Sequence, residues 1–392
     1  MFGGVIGGKF LKDNWKLKYD LRWADNNQII DIVLKSRGVE DKEEFLHPSE
    51  KNLIPFELFP NISKGYSIVN ESLKENKKIL IYGDVDTDGC TAASIIYRYL
   101  NNFTSDLEIC INEGKVHGLD VDEVKKYNPD TIIVVDSIND TPAEYLEVLK
   151  SSKLIVLDHH IPSPEILKIK SDICLISSAT DGYPNPALSG AGVVWKFCKY
   201  LDSKYYTNYA DNLVDLAATG IIADMCSVGI DAMENRYICN LGFNNLQNPA
   251  IKAIMGDYPF NAKAVSFSIA PLINSANRLE NNEEALKIFM LDDSQTIYSI
   301  VDNFRSYKKH QDTKVNSMYE AFVKPSMESQ KDKKCLFCNL DGDKNFAGLV
   351  ANKCVGTYHK PTIIYRIDED GNMAGSMRAV GVKDFQIGRA HV

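Results

Sequence analysis

Nowhere do the 392 residues run apolar for the roughly 18 consecutive positions that a membrane-spanning helix needs, so no membrane partner is expected. The opening MFGGVIGGKFLKDNWK lacks a basic lead and a small-residue cleavage site, so no signal peptide is expected and a cytoplasmic location is the expectation. Nine cysteines are scattered without regular spacing. Cys335 and Cys338 form a C-x-x-C with no second pair nearby to complete a zinc site, so reduced thiols and ordinary strand residues are expected. Basic residues are also in short supply: 44 Lys and Arg stand against 53 Asp and Glu, a formal net charge of -9. That excludes a nonspecific nucleic-acid-coating protein, but not a nucleic-acid enzyme with a local basic channel and cation-binding carboxylates. Internal repeats and low-complexity linkers are absent as well.

What is present is an ordinary globular composition, 44% apolar and 25% charged, on a chain too long for one comfortable core. Residues 1–75 read as a mostly helical segment, with IIDIVLKSRGV followed by the helix start VEDKEEFL. From residue 76 short β-branched apolar runs at 77–84, 106–111, 130–136 and 153–158 predict strands buried on both faces. Helical segments alternate with them: TAASIIYRYLNN, LDVDEVKKY and TPAEYLEVLK, the last opened by Thr141, Pro142 and Glu144 in a capping-box arrangement. The fold class expected is α/β, a doubly wound parallel sheet within residues 76–290, completed by helices such as GAGVVWKFCKYL. Residues 291–330 predict a long amphipathic connecting helix, and 331–392 a second, smaller α/β domain.

Three of the four predicted strands end in aspartate: Asp84, Asp136 and Asp158. Each alone is unremarkable, because aspartate starts turns and caps helices. At equivalent strand ends, however, they line the crevice where open α/β sheets bind ligands. The run Asp84-Val85-Asp86-Thr87-Asp88-Gly89 puts carboxylates at alternate positions of a tight turn, where they converge on one hard cation. It also opens like a calcium loop, but the twelfth position is Ile95 and a strand precedes it, so that reading fails. Adjacent histidines on a surface usually mean nothing; in Asp158-His159-His160 they follow a buried strand and fall in the crevice. Mixed carboxylate and imidazole donors suit manganese or magnesium better than structural zinc. Asp224, after DLAATGIIA, reads equally well as a helix cap. Two cations bridged by a carboxylate point to phosphoester hydrolysis, in which neutralising the anionic oxygens is the main task.

GDVDTDGCTAAS, VVDSIND, VLDHHIPS and ATGIIADMCSV, in this order and spacing, resemble the four motifs of the DHH phosphoesterase superfamily, and within it most the RecJ-like single-strand exonucleases. LKSRGVEDKEEFLHP, ALSGAGVVWKF, ENRYICNLGF, APLINSANRLENNEEAL, AGLVANKC and GSMR extend the resemblance over nearly the whole chain. It implies that two divalent cations, manganese or magnesium, are held by Asp86, Asp88, Asp136, His159 and Asp224, with Asp136 bridging and Asp84 a ligand or a support at the edge. His160 is implied to face the scissile phosphate, Asp158 to orient an imidazole, and Arg278, Arg305, Ser376 and Arg378 to hold substrate phosphates. Without the motif context, surface ion pairs are the default for those arginines. The substrate implied is single-stranded DNA, cut from an end in the 5′ to 3′ direction. Other recombination or replication proteins are further candidate partners.

Departures lie on the substrate side. In INEGKVHGL, Asn112 falls near the place of a family arginine, which leaves recognition of a 5′ end open; Asp343 in DGDKNFAG falls near a family histidine. No OB-fold follows, so a weaker grip on long strands is expected. IGRAHV reads as a translated sequencing adapter, so residues 387–392 are expected to be foreign and the 331–392 domain only partial. Two alternatives stay open. One is a DHH enzyme acting on oligonucleotides or cyclic dinucleotides, although an initial histidine in the first motif and a Gly-Gly-Gly-His element are both missing. The other is an inactive replication scaffold, against which every ligand position is retained.

Overall fold

The computed structural model describes residues 25–111, 118–180, 182–340, 344–367 and 371–379. The expectations at Asn112, Asp343 and 387–392 fall outside the described residues, as does the helical reading of 1–24. Helices α1 (Asn26–Ser36), α2 (Lys42–Leu46) and α3 (Ile62–Lys74) precede the sheet. Asp25 and Asp41 cap the first two, their side chains accepting the backbone N–H of Gln28 and Glu44.

The expected doubly wound sheet is present. Strand β1 (Ile79–Gly83) leads through α4 (Thr87–Leu100) to β2 (Leu107–Ile111), then α5 (Val121–Tyr127) and β3 (Thr131–Val135). Helix α6 (Ala143–Val148), β4 (Lys153–Asp158), α7 (Pro164–Lys168) and β5 (Cys174–Ser177) follow. All neighbours are parallel, in the order β2-β1-β3-β4-β5. Alternate strand residues feed opposite faces: Ile81, Ile133 and Ile155 enter one core with α4, while Leu80, Ile132 and Leu154 enter the other with α5 and α6. Two local expectations need correcting. The fifth strand was not anticipated, because four residues of CLIS are too short a run to stand out from a loop. The capping box at Thr141 is not made: α6 starts at Ala143 without a side-chain cap, and the Thr141 hydroxyl donates to Glu144 Oε2 at 2.9 Å.

The order reverses direction between β1 and β3, the switch point at which such sheets open a ligand crevice. Gly83 pairs with Val135, and Val135 with Leu157, so Asp84, Asp136 and Asp158 emerge side by side. Helices α8 (Gly190–Tyr205), α9 (Val214–Ala223), α10 (Met233–Asn244) and α11 (Pro249–Met255) follow. A short helix α12 (Ala262–Ala264) runs through a wide π-turn at Val265–Ile269 into α13 (Ala270–Arg278), and α14 (Asn282–Lys287) comes next. The connecting helix is α15 (Ser294–Met318), about 37 Å long at 1.5 Å per residue. Its Ile297, Val301 and Phe304 sit in the main core, its Val315 and Met318 in a separate one. After α16 (Lys324–Glu328), that second core is shared by β6 (Leu336–Asn339), α17 (Ala347–Tyr358) and β7 (Thr362–Ile367). Strand β8 (Met373–Arg378) closes this sheet antiparallel to β7, while β6 and β7 are parallel. Among the described residues no helix is long and apolar enough to cross a membrane. All nine cysteines are free thiols.

Candidate active site

The loop after β1 is shaped by its own carboxylates. Asp86 caps α4, its Oδ1 accepting the Gly89 N–H at 3.0 Å. Asp84 is buried behind it. Two asparagines of α13 grip the loop from 187 and 192 positions away: the Thr87 hydroxyl donates to Asn274 Oδ1, and Asn277 Nδ2 donates to the Val85 carbonyl. Asp88 turns inward to the start of α8. Its Oδ1 accepts from Ser189 Oγ at 3.0 Å and the Ala191 N–H at 3.1 Å, and its Oδ2 from the Gly190 N–H at 2.8 Å. That approach depends on Gly220 of α9, where a methyl group would overlap Asp88 Oδ1 and Ala191 Cβ. Gly190 does the same for Asp136, since a Cβ there would stand 2.6 Å from its Oδ1.

Asp136 holds a left-handed backbone (φ 54), a conformation aspartate tolerates better than most residues. His159 Nε2 stands 3.2 Å from Asp136 Oδ1, 3.7 Å from Asp224 Oδ2 and 4.0 Å from Asp88 Oδ2. Asp158 is fully buried and saturated with donors. Its Oδ1 accepts the N–H groups of His159 (2.6 Å) and His160 (2.7 Å), its Oδ2 that of Ile138 (2.7 Å), and Oδ1 also meets His160 Nδ1 at 2.8 Å. The sequence-derived metal residues Asp84, Asp86, Asp88, Asp136, His159 and Asp224 are thus gathered in one crevice, with Asp158 beneath and His160 beside them.

The carboxylates and imidazoles packed into the crevice shift one another's protonation. Burial, then the charges of Asp86 and Asp224, push the Asp88 carboxyl well above the usual range. Burial, then Asp88, Asp86 and Asp158, do the same to Asp136. Burial opposes ionisation of Asp158 too, but the hydrogen bond and charge of His160 outweigh it and leave the carboxyl low. The same hydrogen bond lifts His160 to about 9, which makes it an imidazolium at neutral pH, whereas burial lowers His159. A neutral imidazole ligates metal and a protonated one donates to phosphate, so the two histidines are chemically distinct.

The donor atoms fit divalent cations. Asp136 Oδ1 is buried without a hydrogen-bond partner, and such an atom is costly unless something positive is supplied. The Asp136 carboxylate belongs to two groups whose donor atoms all lie within 4.8 Å of one another, Asp84-Asp86-Asp136 and Asp136-His159-His160; a third is His159-Asp224-Cys226. Cys226 was not singled out from the sequence, nor were Ser189, Asn274 and Asn277, whose roles depend on distant partners.

The four expected phosphate-holding residues divide. Arg278 is half-buried, donates to Asn274 O and Gln311 Oε1 at 3.3 Å each, and feels the charge of Arg378. Ser376 and Arg378 of β8 face Gly348 at the start of α17, where a Cβ would lie 3.3 Å from Ser376 Oγ and 3.2 Å from Arg378 Nη2. Arg378 and Ser376 thus lie at a helix N-terminus, an arrangement suited to an anion, with the Arg278 charge close enough to Arg378 to be felt there. Arg305 instead pairs with Asp302 at 2.8 Å, one turn back on α15, with a side chain 53% exposed.

Residues 78–221 match the DHH family, N-terminal domain. A putative SPbeta prophage-derived single-strand DNA-specific exonuclease of Bacillus subtilis is 28% identical, over 93% of this chain and 69% of that protein. The single-stranded-DNA-specific exonuclease RecJ of the same bacterium is 27% identical, over 90% of this chain. The chain spans 46% of its length. Among solved structures, RecJ of Thermus thermophilus in complex with Mn2+ superposes with a TM-score of 0.74 at 23% identity, covering 90% of this chain and 52% of that one.

Proposed function

We propose, from the premise that this chain belongs to the DHH family and is RecJ-like, that it is a phosphodiesterase degrading single-stranded DNA from one end, in the 5′ to 3′ direction. The observation that carries the metal-dependent reading is Asp136, whose Oδ1 is buried without a hydrogen-bond partner and whose carboxylate is common to two donor groups. Two divalent cations, manganese or magnesium, are the group these residues fit; when bound they neutralise the phosphodiester and acidify a water. Asp86, Asp88, Asp136, His159 and Asp224 would hold them, Asp88 being fixed in place by the start of α8, with Asp84 a further ligand or a support at the edge of the loop.

The remaining residues position the substrate and move the proton. His160, kept protonated by Asp158, donates to a non-bridging oxygen of the scissile phosphate as negative charge grows there. Asp158 fixes that imidazolium while its three backbone donors keep it in place. Arg278, Arg378 and Ser376 hold phosphates farther along the strand, and their charge supplies a local basic patch on a protein of net charge -9. Residues 76–290 are the catalytic unit, 291–330 the connector and 331–392 the strand-holding unit.

The test incubates the protein with manganese and end-labelled single-stranded DNA, duplex DNA or dinucleotides, beside D136A. Stepwise loss of single-stranded DNA from the 5′ end, absent in D136A, is expected. Cleavage of dinucleotides alone would move the assignment to the oligonucleotide-degrading relatives, and equal activity in D136A would refute the site.

A further inference from the structure

Just past Asp224 the chain folds back on itself. Met225 takes a left-handed backbone (φ 59) and brings the thiol of Cys226 to Asp224, Sγ donating to Oδ2 at 3.2 Å. Asp224 Oδ2 lies 3.7 Å from His159 Nε2, and sulfur, oxygen and nitrogen are all within 4.8 Å of one another. Tetrahedral zinc, with bonds of about 2.0 Å to nitrogen or oxygen and about 2.3 Å to sulfur, separates its ligands by roughly 3.3–3.8 Å. Two edges of this triangle are already near that spacing. A fourth donor waits inside: Asp136 Oδ1, on a residue 2% exposed, lies 3.2 Å from His159 Nε2 and has no hydrogen-bond partner.

The donor chemistry here differs from that of the rest of the centre. Oxygen and imidazole donors suit manganese and magnesium, whereas a thiolate selects softer ions, and zinc binds mixed donor sets more tightly than manganese does. Cys226 is partly exposed, so an ion can reach it from the crevice.

We propose that His159, Asp224 and Cys226, completed by Asp136, form a site for a thiophilic divalent cation of the zinc and cadmium class, and that an ion held there displaces the hard cation and arrests hydrolysis. This rests on the reading of His159 and Asp224 as metal ligands. Binding exchanges the Sγ–H proton, released to solvent, for a metal–sulfur bond with no change of oxidation state. With manganese the thiol keeps its proton and its bond to Asp224, and takes no part in the reaction.

Cobalt(II), titrated into the metal-free full chain, is the probe. Wild type should show a thiolate-to-cobalt charge-transfer band in the near ultraviolet together with visible d–d bands; C226S and C226A should lose the first and keep the second. The zinc concentration that half-inhibits manganese-supported hydrolysis should rise about tenfold or more in both variants, since even indirect partners of metal ligands are worth that much. In wild type alone, excess manganese should suppress the charge-transfer band, because the two ions compete for His159 and Asp224; this holds the proposal to account even where the variants fold poorly. A band that survives in C226S places the thiolate elsewhere, for instance at Cys335 and Cys338, and overturns the proposal. Visible bands without a charge-transfer band in wild type overturn it while leaving the metal centre intact. No cobalt spectrum at all overturns both.

Discussion

Exchanging Asp136 for asparagine keeps the side chain's shape and removes its charge, which separates what that carboxylate costs the fold from what it does for metal. In the metal-free protein its pKa is raised by burial and by the neighbouring carboxylates. A pair of unit charges at 4.8 Å, the outer limit for the Asp84-Asp86-Asp136 donor atoms, repels by about 3–4 kcal/mol at an effective dielectric constant near 20. The group therefore takes up a proton more readily folded than unfolded. The sign follows from that: its contribution to stability is full below the ordinary carboxylate pKa near 4 and is lost as pH rises through the raised folded value. In chelator at about pH 8, D136N should therefore melt higher than wild type, by about 2 °C for each kcal/mol relieved, and its stability should fall less between about pH 5 and pH 8.

Manganese should reverse the ranking. An ion at a hundredfold excess over its Kd stabilises a folded protein by about 2.7 kcal/mol, which corresponds to about 5 °C in a protein of this size. Wild type should gain that much for each ion bound. D136N, with a neutral amide where two donor groups meet, should gain little and lose hydrolysis. Thermal melts followed by circular dichroism in chelator and in manganese, at two pH values, are sufficient. If D136N melts below wild type in chelator, or shares its manganese shift, the electrostatic reasoning is wrong.

Three further outcomes are expected. G220A should displace Asp88, costing about 1–3 kcal/mol of stability through overpacking and weakening manganese binding; a melt and a manganese titration both equal to wild type would contradict this. D158N leaves one buried N–H facing an amide NH2, a cost of about 1–3 kcal/mol, and frees His160, so kcat should fall more than KM rises; a change in KM alone would rule out the orienting role. R378A should raise KM for single-stranded oligonucleotides, while R305A removes only an exposed ion pair worth about 0.2–1 kcal/mol and should leave KM close to wild type; equal effects would show that Arg305 leaves Asp302 to meet the strand.

The difference between what could be read from the chain and what could not comes down to the reach of the interaction. Asp84, Asp136 and Asp158 were legible because the runs before them are apolar on both faces, which fixes parallel strands and sends their ends to one edge. The long helix was legible from its one-sided apolar stripe, and the small second sheet from short runs that alternate with a helix. Strand β5 was not, since four residues carry too little pattern. Nor were the interactions that give the site its chemistry. Asp88 reads locally as an acidic residue in the first turn of a helix; only α8, arriving from 101 to 103 positions away, turns it into a buried carboxylate with three donors. Asn274 and Asn277 read as ordinary helix residues until the loop they grip is folded against them. Cys226 shows that short separation is no guarantee of legibility. It lies two residues from Asp224, yet continuing helix α9 through Met225 would turn the two side chains about 200° apart, and the left-handed turn there places sulfur beside the carboxylate instead. A non-glycine residue in that conformation carries a cost of order 1 kcal/mol or more, and at Met225 and Asp136 alike it is borne where a donor atom is aimed at the same imidazole.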